Sequence, residues 1–144
     1  MQRSDPFGSN ECSKKDECFV CKDGRAGRCK TNGVTYEVRC KKCDCVYIGE
    51  TSRNAYTRGK EHVNDLINHR ENSPLYTHIQ ERHGGEGDRD DFYMTVTGLY
   101  GNDATKRQIA EAIKIQKEDD TTLMNRQDEW RQTVIPRLGL DFEI

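Results

Sequence analysis

Polar and apolar positions alternate most cleanly between Val34 and Val38. There Val34, Tyr36 and Val38 interleave with Thr35, Glu37 and Arg39, a period of two that predicts a strand with one buried face. Val46, Tyr47 and Ile48 predict a second short strand ending at Gly49, so Tyr36 and Tyr47 come from neighbouring antiparallel strands. Thr51 or Ser52 is placed to cap a following helix whose face carries Ala55, Gly59, Val63 and Leu66. Arg58 and His62, four apart, share one side of that helix. Ser73-Pro74 opens a short helix, as cap and first-turn proline, and Gly84-Gly85 ends it. Phe92 to Leu99 predicts a third strand. Asn102 or Asp103 caps a last helix, Ala104 to about Lys117, on which Ile109, Ala112, Ile113 and Gln116 keep helical spacing, flanked by Ala104 and Ile115. The expected fold is α+β: a small three-stranded antiparallel sheet flanked by helices.

Composition narrows the picture. Only 33% of the 144 residues are apolar, which predicts a thin core, and small domains with thin cores recruit metals or disulfides. Seven Cys fit a disulfide framework badly, being odd in number, and they accompany four His. Neither a signal peptide nor a membrane-length apolar run is evident, so a reducing compartment, nucleus or cytosol, is expected.

The cysteines fall into two sets. Cys12, Cys18, Cys21 and Cys29 read C-x5-C-x2-C-x7-C, in a segment with few core formers besides Phe19 and Val20. That predicts a four-cysteine zinc knuckle, because little besides metal would order it; the bland reading is four unpaired thiols in a flexible arm. Cys40 and Cys43 form a C-x2-C in the hairpin loop, and His78 and His83 form an H-x4-H on the later short helix. Two Cys and two His so spaced predict a second, structural zinc site, against a bland reading of surface histidines and core thiols. Cys45 either replaces Cys43 or packs as a small apolar side chain, and His69 reads as a surface or capping residue. The boundaries expected are a loose arm over 1–11, the knuckle over 12–32, and a main domain over 33–144 containing the second zinc site. The acidic run Glu86 to Asp91 lacks calcium-loop order and reads as a solvated loop.

Net charge is −2, but residues before Glu71 carry fourteen Lys/Arg against ten Asp/Glu, and the remainder nine against fifteen. Basic side chains thus gather around the first hairpin and helix. Because phosphate neutralisation dominates nucleic-acid affinity, binding by this chain alone is expected to be weak and salt-sensitive. Tethering to a larger DNA-binding polypeptide would offset that.

The order of these residues resembles the GIY-YIG nuclease family. Val34-Thr35-Tyr36 stands at its first motif, with Thr35 where the family has Ile. Tyr47-Ile48-Gly49 is the second motif intact, eleven residues after Tyr36, and Arg58 and His62 follow at the catalytic spacing. The hairpin cysteines, the run Ile48-Gly49-Glu50-Thr51-Ser52-Arg53 and the later Ser73-Pro74-Leu75-Tyr76-Thr77-His78 look like the endonuclease of Penelope-like retroelements. The resemblance implies a DNA endonuclease that nicks a target for integration, acting with or fused to a reverse transcriptase in the nucleus. It implies Tyr36 or Tyr47 as base, His62 as its partner, Arg58 on the phosphate, and Glu111 holding one Mg²⁺ or Mn²⁺. Asn125, in Leu123-Met124-Asn125, would fix the site's wall. Glu118 is the rival metal ligand, nearer the helix end, and the bland reading of Asn125 is a turn residue. The other class of reading is a zinc-stabilised, non-catalytic DNA- or protein-binding module; a ubiquitin-ligase-type domain is disfavoured because its C-x-H-x2-C heart is missing. A degenerate nuclease fold that binds branched DNA without cutting is the third. The apolar tail from Val134 to Phe142 is expected to pack on the back of the sheet or to join a neighbour.

Overall fold

A computed structural model describes residues 12, 14, 16–25 and 27–125. The expectations for the arm over 1–11 and for the apolar tail lie outside the described residues. The fold is α+β. Strands β1 (Asn32–Cys40), β2 (Val46–Asn54) and β3 (Phe92–Leu99) form one antiparallel sheet in the order β2-β1-β3. Helices α1 (Ala55–Ile67), α2 (Pro74–Arg82) and α3 (Ala104–Lys117) flank it.

β1 is central and buried on both sides. Val34, Tyr36, Val38 and Cys40 point into a core with Ala55, Val63 and Leu66 of α1, Leu75 and Ile79 of α2, and Phe92 and Met94 of β3. The opposite face is covered by α3, whose Ala112 and Ile115 pack on Val46 and Ile48 of β2. Thr35 follows the alternation to that far face, where its hydroxyl lies 3.0 Å from that of Thr97.

Three expectations need correction. β2 does not end at Gly49 but stays paired with β1 as far as Asn54, opposite Asn32. The cap of α1 is therefore Asn54, whose Oδ1 accepts from the Thr57 N–H at 2.7 Å, rather than Thr51 or Ser52. Thr51 is held in the sheet opposite Val34, and its hydroxyl accepts from Arg53 N–H. On α3 the buried stripe is Arg107, Glu111, Ala112 and Ile115, and Ile113 is 43% exposed. Two charged residues occupy that stripe, Arg107 being paired to Glu50 of β2, so the apolar count alone misplaces the face.

The other boundaries stand where local chemistry puts them. Ser73 Oγ accepts from Tyr76 N–H at 3.1 Å with Pro74 in the first turn. Gly84 and Gly85 carry positive φ past the end of α2, and Gly85 N–H returns to the Ile79 carbonyl at 3.0 Å. Asp103 caps α3 through Lys106 N–H. The acidic run contains a single 3-10 turn, Arg89–Asp91, capped reciprocally by Asp88 and Asp91.

The cysteine-rich segment before β1 is riveted to the sheet domain. Phe19 and Val20 belong to the main core. Gly59 has room only for hydrogen where Phe19 packs: a Cβ there would meet Phe19 Cβ at 2.9 Å and Met94 Sδ at 3.1 Å. Arg25 donates to the Met94 carbonyl at 3.0 Å and to Thr95 Oγ1 at 2.8 Å, with its guanidinium over the Tyr93 ring. Tyr56 N–H, at the start of α1, donates to the Cys29 carbonyl at 2.8 Å.

Candidate functional site: a phenol, an imidazole and a guanidinium at the sheet–helix seam

The expected site residues of β1, β2 and α1 converge. Tyr36 pairs across the sheet with Gly49, and Tyr47 with Val38, which puts both phenols on the α1 face. Gly49 is glycine for a reason of space: a Cβ would lie 2.4 Å from Tyr36 Cζ and 2.5 Å from its hydroxyl oxygen. The Tyr36 ring thus lies directly against Gly49. Its hydroxyl is 2.8 Å from His62 Nε2 and accepts from Arg58 Nε at 3.1 Å. The Tyr47 ring stands 5.3 Å from the His62 ring and 6.3 Å from that of Tyr36.

The hydrogen-bond directions follow from what each group can do. A guanidinium only donates, so Arg58 uses a lone pair of the Tyr36 oxygen. The phenol proton is then free to point at His62 Nε2, which accepts when the imidazole proton sits on Nδ1. Burial, aided by the Arg58 charge, lowers the His62 pKa to about 3, so the ring is neutral at neutral pH and fit for that role. Burial first, then the neighbouring Tyr47, pushes the Tyr36 phenol well above its usual range; Arg58 opposes this and Glu111 adds to it. Burial works against the Arg58 cation, but the two phenols and Glu61 outweigh it and raise its pKa. Arg58 is therefore a permanent charge.

Glu111 is 9% exposed, on the sheet-facing stripe of α3. α3 covers the face opposite α1, so the seam of β1, β2 and α1 brings Tyr36, Tyr47, His62 and Arg58 together without Glu111, whose charge adds to the raising of the Tyr36 phenol. One turn earlier, Arg107 is buried against Glu50. Glu118, the rival, caps the end of α3 and accepts from Thr122 Oγ1 at 2.7 Å, a closing role at the helix terminus. Asn125 is drawn onto β2: its Oδ1 accepts from Ile48 N–H at 2.9 Å and its Nδ2 donates to the Ile48 carbonyl at 2.8 Å. With Val46 N–H to the Thr122 carbonyl and Met124 N–H to the Val46 carbonyl, 122–125 seal this part of the sheet edge. Asn125 so holds the backbone between Tyr47 and Gly49.

Two further clusters can hold metal. Cys40, Cys43, His78 and His83 bring one ligand atom each to within 4.8 Å of one another. His78 Nε2 lies 3.2 Å from Cys43 Sγ and 3.2 Å from His83 Nε2, and His83 Nε2 is 3.4 Å from Cys40 Sγ. Two thiols and two imidazole nitrogens aimed at one point are the donor set of a closed tetrahedral zinc site. Burial and the neighbouring His83 lower the His78 pKa to about 4, leaving the neutral, ligating form. Cys45 stands outside this set, buried, with its thiol pushed up to about 11 by burial and Cys43. Cys12, Cys18, Cys21 and Cys29 form the second cluster, again within 4.8 Å and all buried. Burial lifts the Cys18 thiol to about 11 and raises Cys29 further. Against its burial, hydrogen bonds from the Lys14 backbone and the neighbouring thiols lower the Cys12 pKa, and a cation at the centre is what would let such crowded thiols ionise together. His69 joins neither cluster; it stacks on Tyr76 at 4.8 Å, at the surface.

Sequence reasoning missed Arg53 and Glu61, which flank Arg58, and the Arg107–Glu50 pair beside Glu111. Arg53–Glu61 and Arg107–Glu50 each cross from one element to another, so no periodicity announces them, whereas Arg58–Glu61 is an i,i+3 pair within α1. Among known proteins there is no match: no family model, no curated protein and no solved structure is significantly similar to the chain. No helix among the described residues is long and apolar enough to cross a membrane.

Proposed function

We propose that this chain is a metal-dependent DNA endonuclease of the GIY-YIG type, hydrolysing one phosphodiester to leave a nick. The observation that carries the reading is the convergence of Tyr36, Tyr47, His62 and Arg58 on one seam between β1, β2 and α1. Chance placement of strand tyrosines and a helical Arg–His pair would not supply this hydrogen-bonded order.

In this reading Arg58 meets the scissile phosphate through Nη2 while Nε stays on Tyr36 and Nη1 on Glu61. A phenol with a reference pKa of about 10 becomes a base only when a cation favours its anion. Tyr47, half-exposed, is open to an attacking water, whereas Tyr36 is fully buried beneath Arg58 and His62. We therefore assign the water-facing role to Tyr47 and the anchoring role to Tyr36. His62, neutral and adjacent to both rings, holds the Tyr36 hydroxyl through Nε2 and packs edge-on against the Tyr47 ring. The Glu111 carboxylate suits Mg²⁺ or Mn²⁺, hard ions that bind one or two carboxylates and complete their shell with phosphate oxygen and water. When bound, such an ion supplies charge relief at the departing 3′ oxygen. The two cysteine-containing clusters take structural zinc, one bracing the hairpin between Tyr36 and Tyr47, the other the start of α1.

The resemblance to Penelope-like retroelement endonucleases extends the reading: a nick for integration, made in the nucleus beside a reverse transcriptase. Supercoiled plasmid tests the core of it. Nicked circles formed only with Mg²⁺ or Mn²⁺ support the enzyme, while a mobility shift without nicking supports a binding module.

A further inference from the structure

Glu61 lies between two arginines. Its Oε1 accepts from Arg58 Nη1 at 3.0 Å and from Arg53 Nη2 at 2.7 Å, and its Oε2 accepts from Arg53 Nη1. Arg53 sits at the end of β2 and Arg58 in the first turns of α1, so one carboxylate ties the strand to the helix across Asn54. Arg53 is 54% exposed, Arg58 27% and Glu61 36%. Ion pairs this exposed contribute little to stability, about 0–1 kcal/mol. Two cations on one anion leave a net positive charge at the mouth of the Tyr36 site. The pairing also fixes two long side chains that would otherwise have to be ordered when an anion binds. Arg53 is close enough to feel the Tyr36 phenol, and both arginines hold the Glu61 carboxyl below its usual range, Arg53 foremost.

We propose that Arg53 is a second DNA-backbone contact, gripping a phosphate beside the scissile one, and that Glu61 is the positioning residue that holds Arg53 and Arg58 at a set spacing. The inference rests on the nuclease reading. Arg58 faces Tyr36 and the reacting phosphate; Arg53, farther out along β2, meets the strand as it leaves. A duplex backbone offers anions in a row, and Arg53, whose Nη1 and Nη2 both rest on Glu61, meets one through the Nε–H edge of its guanidinium.

The test uses the full zinc-loaded chain and a labelled DNA duplex. Affinity is measured from about 50 to 200 mM salt without catalytic metal, and nicking is followed separately with Mn²⁺. Each phosphate contact contributes close to 0.9 to the slope of log affinity on log salt. Arg53→Ala is expected to lower that slope by about one, raise KM several-fold, and change kcat little. Arg53→Lys restores the slope because the charge returns. Glu61→Gln keeps the slope but lowers kcat several-fold, because Arg58 loses its brace. An Arg53→Ala variant with the wild-type slope and KM, from a wild type that nicks DNA, overturns this inference alone. A wild type that neither binds nor nicks overturns the nuclease reading and this inference with it.

Discussion

The hydroxyl of Tyr36 and Nε2 of His62 stand 2.8 Å apart, joining the central strand to the first helix at a point sealed from solvent. Arg58 completes the chain from the other side of the same oxygen. Removing the hydroxyl by Tyr36→Phe leaves the His62 nitrogen buried without its partner, a cost of about 1–3 kcal/mol. The ring still fills its place over Gly49. The variant is therefore expected to fold, with a modestly lower Tm, and to nick DNA several-fold more slowly, because Arg58 and His62 lose the hydroxyl that orients them. Calorimetry and a plasmid time course check the two halves. Unchanged nicking would detach Tyr36 from the chemistry.

Acid should destabilise the fold through His62. Its folded pKa, about 3, lies below the ordinary value of 6.5. Between those values the unfolded chain binds the proton and the folded chain does not, so stability rises with pH across that window and is lost as pH falls from about 6.5 toward 3. The slope is on the order of 1 kcal/mol per pH unit. His62→Gln, which keeps a hydrogen-bonding group beside Tyr36, removes this slope. Denaturant midpoints at pH 7 and pH 5 measure it. Acid release of zinc affects both proteins, so the difference between their slopes belongs to His62. Identical slopes would place His62 outside the buried network.

Gly49→Ala is expected to be more harmful than its size suggests. The new methyl would enter the Tyr36 ring at 2.4 Å, and that ring is locked by Arg58 and His62. Overpacking of this kind costs about 1–3 kcal/mol. The displaced phenol also loses its hydrogen bonds, so nicking should fall together with Tm. A neutral Tm would show that the ring has room to move.

Elemental analysis of the purified chain is expected to give two zinc ions, one for each ligand group. Cys21→Ala and His78→Ala should each lower the count to one. Loss of the Cys21 site is expected to loosen the start of α1, through Cys29 and Phe19, and so Arg58. Loss of the His78 site frees the hairpin between the two tyrosines. Hydrogen exchange at Tyr56 against exchange at Cys40 separates the two effects. A metal-free protein with disulfides by mass spectrometry would contradict the assignment.

What the sequence made legible was mostly local. The alternation of Val34, Tyr36 and Val38, the Ser73-Pro74 start of α2 and the paired glycines at its end each depend on neighbours within a turn or a strand. The two ligand groups were readable because C-x2-C and H-x4-H spacing has few other uses. The misplaced cap had a tertiary cause: pairing with β1 carries β2 through Gly49 to Asn54, past two residues with good capping propensity. The exposed Ile113 has a similar origin, since Arg107 and Glu111 fill a stripe that hydrophobicity assigns to apolar residues. Arg53 and Glu61 were invisible for a third reason. Their pairing spans the β2–α1 junction, where neither strand nor helix spacing applies.

One guanidinium and one carboxylate acting on a single phosphate is the central proposal. Supercoiled plasmid with Mn²⁺, incubated with wild type, Arg58→Ala and Glu111→Gln at matched zinc content and Tm, measures that directly. The expected result is metal-dependent nicked circles from the wild type and at least a roughly hundredfold loss in each variant. Equal nicking by all three, or a wild type that shifts the plasmid without cutting it, would contradict the account.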